Sequence, residues 1–514
     1  MPKSSAITWY FGSFLFESRM SSDRSRFDGD NNGACCCWQH CLPDCIARTT
    51  FDSSFHLPKA SLSLAVPANS IPHNFSQIRA MTVTSLNLEH SRDSTVNGLS
   101  NGTGNTETVS NAGSNWSDPG PAAFDFRSDV TTRPTPAMLE SLISLQGAGL
   151  GDDVFREDET TNNLESFVAE LTGFPAALLV MSGTMGNQLS IRTHLQGPPH
   201  SVVADSRSHI FGWEAGGLAS LSGAFAIPVT PSNKHHLTLS DIKSHAITST
   251  DIHACPTRLI CLENTLAGTI LPLSSAASIS TWARSQSPPI NLHLDGARLW
   301  EAVSATASSE KNDSKDALIA GLKAYCAHFD SVSLCFSKGL GAPIGSIIIG
   351  SHAFVDRARH IRKGLGGGLR QAALITAPAR VAVEQTFLGG MLRASHERAT
   401  EVAAMWTQRG GRLAKETETN MVWLDLEGVG LGADGEEGGK GGKNKSLVEM
   451  ALERGVRVMG GRLVVHYQIS PLALSRLALL FDDIFTRRTP STSPSSVPNG
   501  IKTEAEKLLA AEVE

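Results

Sequence analysis

The chain has 514 residues, 41% of them hydrophobic and 18% charged, enough apolar material for a sizeable core without disulfides or a metal to hold it together. Lys and Arg total 44 against 50 Asp and Glu, a formal net charge of −6, which argues against a nucleic-acid or membrane-surface binder, whose footprint would be basic. No run of about 18 apolar residues occurs, so no membrane span is expected.

Residues 1–122 read as a disordered extension, because Ser, Asn, Thr and Gly dominate its later half and hydrophobic periodicity is absent. The opening ITWYFGSFLF faintly resembles a signal peptide but lacks a clear small-residue cleavage site, and a cytoplasmic protein is expected. Cys35, Cys36, Cys37, Cys41 and Cys45 crowd into this extension. Zinc sites want separated Cys pairs, which three consecutive cysteines do not provide, and no metal is expected. Cys255, Cys261, Cys326 and Cys335 sit in apolar surroundings and read as small buried thiols.

Order is expected to begin near Phe124. LESFVAELTGF has helical character, AALLVM is a short apolar run, and NQLSIRTHL after it is helical again. SVVADS, RLICLEN, INLHLDG and DSVSLCFSKG follow as strand candidates separated by helical stretches. Strands alternating with helices predict an α/β domain over 123–375, a mostly parallel sheet with helices on both faces. In such a sheet ligands collect at the carboxyl ends of the strands. A smaller α+β domain is predicted over 376–487, with helices in ALITAPARVAVEQTFL, SHERATEVAAMWTQ and ALSRLALLFDDIF and strands in MVWLDL and RLVVHYQIS. The stretch 428–445 reads as a flexible insertion and 488–514 as a polar tail.

Four segments fall where the inferred strands end. MSGTMGN carries Ser182, Gly183 and Thr184 between a strand and a helix, where backbone N–H groups and a positive helix end form a phosphate cradle; the alternative is a plain turn. DSRSHIFGWEAGG places His209 and Glu214 after the next strand, the ring being either a satisfied polar group or a surface for a planar cofactor. DGAR brings Asp295 and Arg298 to a buried strand end, as a structural ion pair or as a partner for a heterocycle nitrogen beside a carboxylate grip. SLCFSKGLGAPIGS sets Lys338 before a Gly-rich turn, as a solvated tip or as a lysine able to form a Schiff base. Phosphate cradle, ring-stacking His, Asp and Lys are the parts a pyridoxal phosphate site needs.

RSDVTTRP, GDDVFREDET, SGTMGN, HIFGWEAGG, LENT, LHLDGAR, SKGLGAPIGS and RKGLGGGLRQ, in that order over 124–485, resemble the low-specificity L-threonine aldolase family. That family belongs to the fold-type-I pyridoxal phosphate enzymes, in the β-eliminating lyase branch. The resemblance implies Lys338 as the Schiff-base lysine, Asp295 as partner of the pyridine nitrogen and His209 stacked on the ring. It implies Ser182, Gly183 and Thr184 at the phosphate, with Arg370 nearby at a subunit contact. Ser128, Arg298 and Arg462 would hold the substrate carboxylate, Arg298 also bordering the cofactor. The implied assembly is a homotetramer, and the implied substrate a small amino acid, L-threonine or L-allo-threonine, cleaved to glycine and an aldehyde.

Two positions depart from the pattern. Leu266 stands after ENT where many relatives have His, and Phe155 stands in GDDVF where Tyr is frequent. The first removes a polar contact near Cβ, which leaves open the choice between threonine and allo-threonine. An amino-acid racemase or β-eliminating lyase on the same scaffold is the alternative. A dinucleotide enzyme is not, since the one G-x-G-x-x-G match, GLGADG at 430–435, runs into EEGGKGGKNK and not into a helix.

Overall fold

A computed structural model describes residues 120–145, 150–309, 312, 314–431 and 445–486. The crowded cysteines, nearly all of the N-terminal extension, most of the 428–445 insertion and the polar tail lie outside these residues. Seven strands form the large sheet: β1 (Ala176–Val180), β2 (Ser201–Asp205), β3 (Phe225–Val229), β4 (Thr257–Glu263), β5 (Asn291–Asp295), β6 (Ser331–Cys335) and β7 (Ser346–Gly350). Their spatial order is β1-β7-β6-β5-β4-β2-β3. All neighbours from β3 to β6 run parallel, and β7 runs antiparallel to both β1 and β6. The mostly parallel sheet expected from the alternation of strands and helices is therefore present.

Two of these strands escape the periodicity. β3 is an exposed edge strand containing Pro228, which cannot donate to a ladder and is tolerated only at such an edge. β7, SIIIG, is short and follows directly on the Gly-rich loop after Lys338, so its apolar run reads as part of that motif.

Side chains alternate across the sheet and separate two layers. Leu179, Val203, Ile260, Leu262, Leu292, Leu294, Val332, Leu334, Ile347 and Ile349 join the main core on one face. On the other face, Val202, Ala204, Leu259 and Cys261 pack in one cluster and Leu178, Val180 and Ile348 in another. Between those two clusters the underside of β5 and β6 is polar: His293 pairs in register with Ser331, and Asp295 with Ser333. The helix Gly183–His194 covers this polar strip. It approaches closely because Gly186 has no Cβ, which would otherwise stand 2.5 Å from Ser333 Oγ.

The second sheet is antiparallel, with β8 (Leu413–Lys415), β9 (Met421–Leu424) and β10 (Arg462–Val464) in the order β10-β9-β8. Its core gathers Phe126, Val422, Leu424, Leu463 and Val465 with Trp406, Leu477 and Phe481 from the helices Met391–Gln408 and Pro471–Thr486. Phe126 ties the segment before the first long helix to this core, with its N–H on Arg457 O at 2.8 Å and its carbonyl accepting from Val464 N at 2.8 Å.

Candidate active site

Ser182 caps the helix Gly183–His194, its Oγ accepting from Met185 N at 3.2 Å. Helix geometry leaves the N–H groups of Gly183 and Thr184 without an intrahelical acceptor, at the positive end of the dipole. A Cβ on Gly183 would stand 2.9 Å from Cys335 Sγ, so glycine lets this turn settle on the end of β6. The loop bearing Arg370 lies beside the same turn, since a Cβ on Gly367 would stand 2.9 Å from Met185 Cε. Arg370 itself is exposed and its guanidinium pairs with Asp152.

Beneath the turn runs a chain of hydrogen bonds whose donors can be assigned from their partners. Asn187 Nδ2 donates to Asp295 Oδ2 at 2.7 Å and to Glu214 Oε1 at 2.8 Å, which fixes the amide with its oxygen toward His293. That oxygen can only accept, so His293 Nε2 donates to it at 3.2 Å. His293 Nδ1 is then the acceptor for Ser331 Oγ at 2.8 Å, and Ser331 Oγ accepts from His194 Nε2 at 2.7 Å. Both histidines stay neutral: burial holds His293 down at about 4 and His194 at about 3, the neighbouring His293 adding to the latter.

Glu214, fully buried, also receives Gln188 Nε2 at 2.5 Å and His209 Nδ1 at 2.8 Å. The bond to a carboxylate makes Nδ1 the donor nitrogen of His209. The backbone N–H of His209 donates to Glu263 Oε2 at 2.9 Å, so two glutamates hold this residue, one by the ring and one by the main chain. Glu263 lies opposite Asp295 in the β4–β5 register. Burial and the Asp295 charge push its carboxyl well above the usual carboxylate range, which favours the protonated acid there. His209, Glu214 and Asp295 offer ligand atoms within 4.8 Å of one another, and protein donors already engage both carboxylates.

Lys338 follows β6 in the loop that turns back into β7, its carbonyl accepting from Gly341 N at 2.8 Å. Its ammonium charge reaches both Asp129 and Glu263. Arg298 grips Asp129 side-on, with Nε on Oδ2 at 2.7 Å and Nη2 on Oδ1 at 2.6 Å. Arg298 of DGAR is thus paired with Asp129 and not with Asp295, and among the described residues no hydrogen bond engages the Nη1 end of its guanidinium. Burial opposes ionisation of Asp129, but the Arg298 charge and hydrogen bonds, with help from Lys338 and Asn420, outweigh it and hold the carboxyl at about 2. Ser128 precedes Asp129, its Oγ 3.5 Å from Oδ1. Arg462, half-buried, donates from Nη2 to Arg127 O at 3.2 Å and pairs with no carboxylate among the described residues. Burial and then the positive charge of Arg298 pull its pKa down, so the two guanidinium groups repel each other.

The structure thus brings Ser182, Gly183, Thr184, His209, Asp295, Arg298, Lys338, Ser128 and Arg462 to the carboxyl ends of the strands and the adjoining β10. Sequence reasoning missed Asn187, Asp129, Glu263 and Asn420 as parts of the arrangement. Asn187 carried one usable signal, its place one turn beyond Gly183 on the buried side of the same helix. Leu266 is buried beside Glu263 in a crevice of about 20 Å³, while Phe155 is exposed.

Pyridoxal phosphate fits these residues. The turn at 182–184 offers two N–H donors to a phosphate, Lys338 an amine to an aldehyde carbon, and Asp295 a carboxylate already oriented by Asn187 to a ring nitrogen. Among the described residues no helix is long and apolar enough to cross a membrane.

Comparison with known proteins agrees with this chemistry. The model of the beta-eliminating lyase family matches residues 125–428. The aldolase vrtJ of Penicillium aethiopicum is 55% identical over 72% of this chain and 88% of its own length. The alanine racemase TOXG of Cochliobolus carbonum is 40% identical over 72% of this chain and 89% of its own. A low-specificity L-threonine aldolase of Eremothecium gossypii is 41% identical over 72% of this chain and 90% of its own. With its fold, its lysine and its phosphate turn in place, the chain belongs to the beta-eliminating lyase family of pyridoxal phosphate enzymes.

Proposed function

We propose that the protein cleaves L-threonine and related β-hydroxy-α-amino acids to glycine and an aldehyde, with pyridoxal phosphate bound at Lys338. The observation that carries this reading is the charge balance of the pocket. Arg298 and Arg462 repel each other, and Asp129 is paired with Arg298 alone, so the Nη1 end of Arg298 and the Arg462 guanidinium can take a second anion. An amino-acid carboxylate supplies it, with Ser128 as a third donor.

Held at its carboxylate, the substrate has its Cα–Cβ bond fixed in direction, and orientation of this kind contributes several kcal/mol toward a barrier. Bound pyridoxal phosphate supplies the electron sink for the charge that develops at Cα. Asp295 would be the carboxylate partner of the heterocycle nitrogen, held in place by the Asn187 amide that donates to it. The β-hydroxyl loses its proton, the Cα–Cβ bond breaks, the aldehyde departs and Cα takes a proton to give glycine. His209 would stack on the ring of the bound group, with Glu214 holding its Nδ1 and leaving Nε2 for the substrate.

A cytoplasmic homotetramer is part of this reading. Exposed large apolar side chains near the site, Phe155 and Trp213 among them, are what a subunit contact would cover. Arg370 would then reach the phosphate region at that contact. The large domain of 123–375 would supply the cofactor site together with Ser128 and Arg298, and the small one of 376–487 would add Arg462 to the carboxylate grip. The 40% identity to an alanine racemase supports one competing reading, proton exchange at Cα without Cα–Cβ cleavage.

Incubation with L-threonine and L-allo-threonine separates the two. Glycine and acetaldehyde in equal amounts support cleavage. Racemised alanine with no aldehyde from any β-hydroxy amino acid overturns it. The cofactor is checked by a visible absorption band that Lys338→Ala lacks.

A further inference from the structure

The loop 336–345, which carries Lys338 from β6 to β7, meets side chains of other elements along its length. Where it leaves β6, Trp300 Nε1 donates to Cys335 O at 3.0 Å. A Cβ on Gly339 would collide with Glu301 Oε1, and one on Gly341 with the hydroxyl of Tyr467, so each glycine lies directly against a polar side chain. Between them Thr386 Oγ1 donates to Leu340 O at 3.1 Å. Trp300 and Glu301 are neighbours in the first turn of the helix Leu299–Ser309, which begins right after DGAR.

Two of these contacts lead back to one helix of the small domain, Met391–Gln408. His396 Nε2 donates to Glu301 Oε2 at 2.6 Å, and Arg398 Nη1 donates to Tyr467 O at 3.1 Å. The first link has no substitute. Among the described residues no other donor reaches the Glu301 carboxylate, and its Oε1 is buried without a partner. Apolar side chains of similar volume would hold such a place at least as stably as a buried ion pair, so stability does not account for it. Its location does: the carboxylate abuts the residue directly after Lys338, and its charge reaches Arg298. Without His396, a buried carboxylate lacking any donor would turn toward water, and Gly339 would lose the surface it rests on.

We propose that His396 and Glu301 are positioning residues that hold the loop 336–345 so that the Lys338 amine is presented to the aldehyde carbon of pyridoxal phosphate. The amine condenses with that aldehyde, and one water leaves. The proposal rests on the reading of Lys338 as the lysine that takes the cofactor; it does not depend on which amino acid is then cleaved.

The test uses the full chain freed of cofactor and the variants His396→Leu, His396→Gln and Glu301→Gln. Two compounds are added in turn. Pyridoxal phosphate engages the lysine and gives the visible absorption band. Pyridoxamine phosphate has an amine in place of the aldehyde, so it occupies the phosphate turn without engaging the lysine. In His396→Leu the band should form about 10-fold more slowly, as expected for loss of a hydrogen bond to a charged group, while the dissociation constant of pyridoxamine phosphate stays unchanged. His396→Gln can still donate to Glu301 and should recover most of the rate. Glu301→Gln keeps the volume at Gly339 but weakens the bond from His396, and should slow the band about 2- to 3-fold. An unchanged rate in His396→Leu overturns the proposal. So does an equal loss of pyridoxamine phosphate affinity, which would make the pair a support of the whole domain and not of the lysine. If His396→Leu does not fold, Glu301→Gln decides by the same two measurements. Failure of the Lys338 reading shows separately, as a Lys338→Ala variant that still forms the band.

Discussion

Asn187 and Asp295 meet at 2.7 Å through an amide N–H that the rest of the network leaves no freedom to turn. The amide oxygen is engaged by His293 and the second N–H by Glu214, so Asn187 alone separates two buried carboxylates and serves both. Replacing it by Ala leaves both without that donor, at a cost of about 1–3 kcal/mol. Asn187→Ala should therefore bind pyridoxal phosphate about 10- to 100-fold more weakly by equilibrium dialysis, with the helix content unchanged. Undiminished cofactor affinity would remove Asn187 from the site.

Asp129 and Arg298 give a prediction in pH. The Asp129 carboxyl is held at about 2, below its ordinary value of 3.8. Its contribution to stability is thus complete above the unfolded value and is lost as pH falls toward about 2. Asp129→Asn leaves a buried guanidinium without its anion, which costs about 3–5 kcal/mol. In acid titrations followed by circular dichroism, the difference in stability between wild type and Asp129→Asn should be constant at pH 5–7 and shrink below pH 4. A difference that persists unchanged to pH 2 contradicts the pairing.

The repulsion between Arg298 and Arg462 predicts a split in kinetics. Arg462→Gln relieves it while removing a grip on the substrate, so the free protein should gain or keep thermal stability. KM for the amino acid should rise by about 10-fold or more, and kcat should change less. A stable variant with unaltered KM would show that the second anion binds elsewhere.

Gly183 predicts a steric effect with a built-in control. Gly183→Ala brings a Cβ to 2.9 Å from Cys335 Sγ, closer than such contacts allow, and the phosphate turn must move. Cofactor affinity should fall. The double variant Gly183→Ala/Cys335→Gly removes the sulfur and should recover much of the loss, which makes the two effects non-additive in a double-mutant cycle. Simple additivity would mean that the turn is not seated on Cys335.

Much of this arrangement was legible in the sequence because it lies in contiguous motifs. A strand that ends in Ser182, Gly183 and Thr184 and opens a helix can be recognised locally, as can Lys338 before its Gly-rich loop. Asp129 could not be assigned that way, since its partner Arg298 is 169 residues away and only the folded chain brings them together. Glu263 reads as the polar end of an apolar strand, and its raised proton affinity arises from burial first and then from Asp295 on the next strand. β3 failed for another reason: its side chains are largely exposed and Pro228 interrupts it, so burial does not impose a pattern there. Tertiary pairs, not local propensities, supplied what periodicity missed.

Leu266, buried beside Glu263, lies in the loop 264–271 after β4, and the way this loop is held has an evolutionary consequence. Every bond from the small sheet reaches the main chain of the loop: the carbonyls of Ala267 and Gly268 and the N–H of Ile270. None of them depends on the residue at 266. One codon can therefore be exchanged there while the main chain around it stays where it is. Position 266 is in this sense a socket, and its side chain can change without the chain first relearning how to fold.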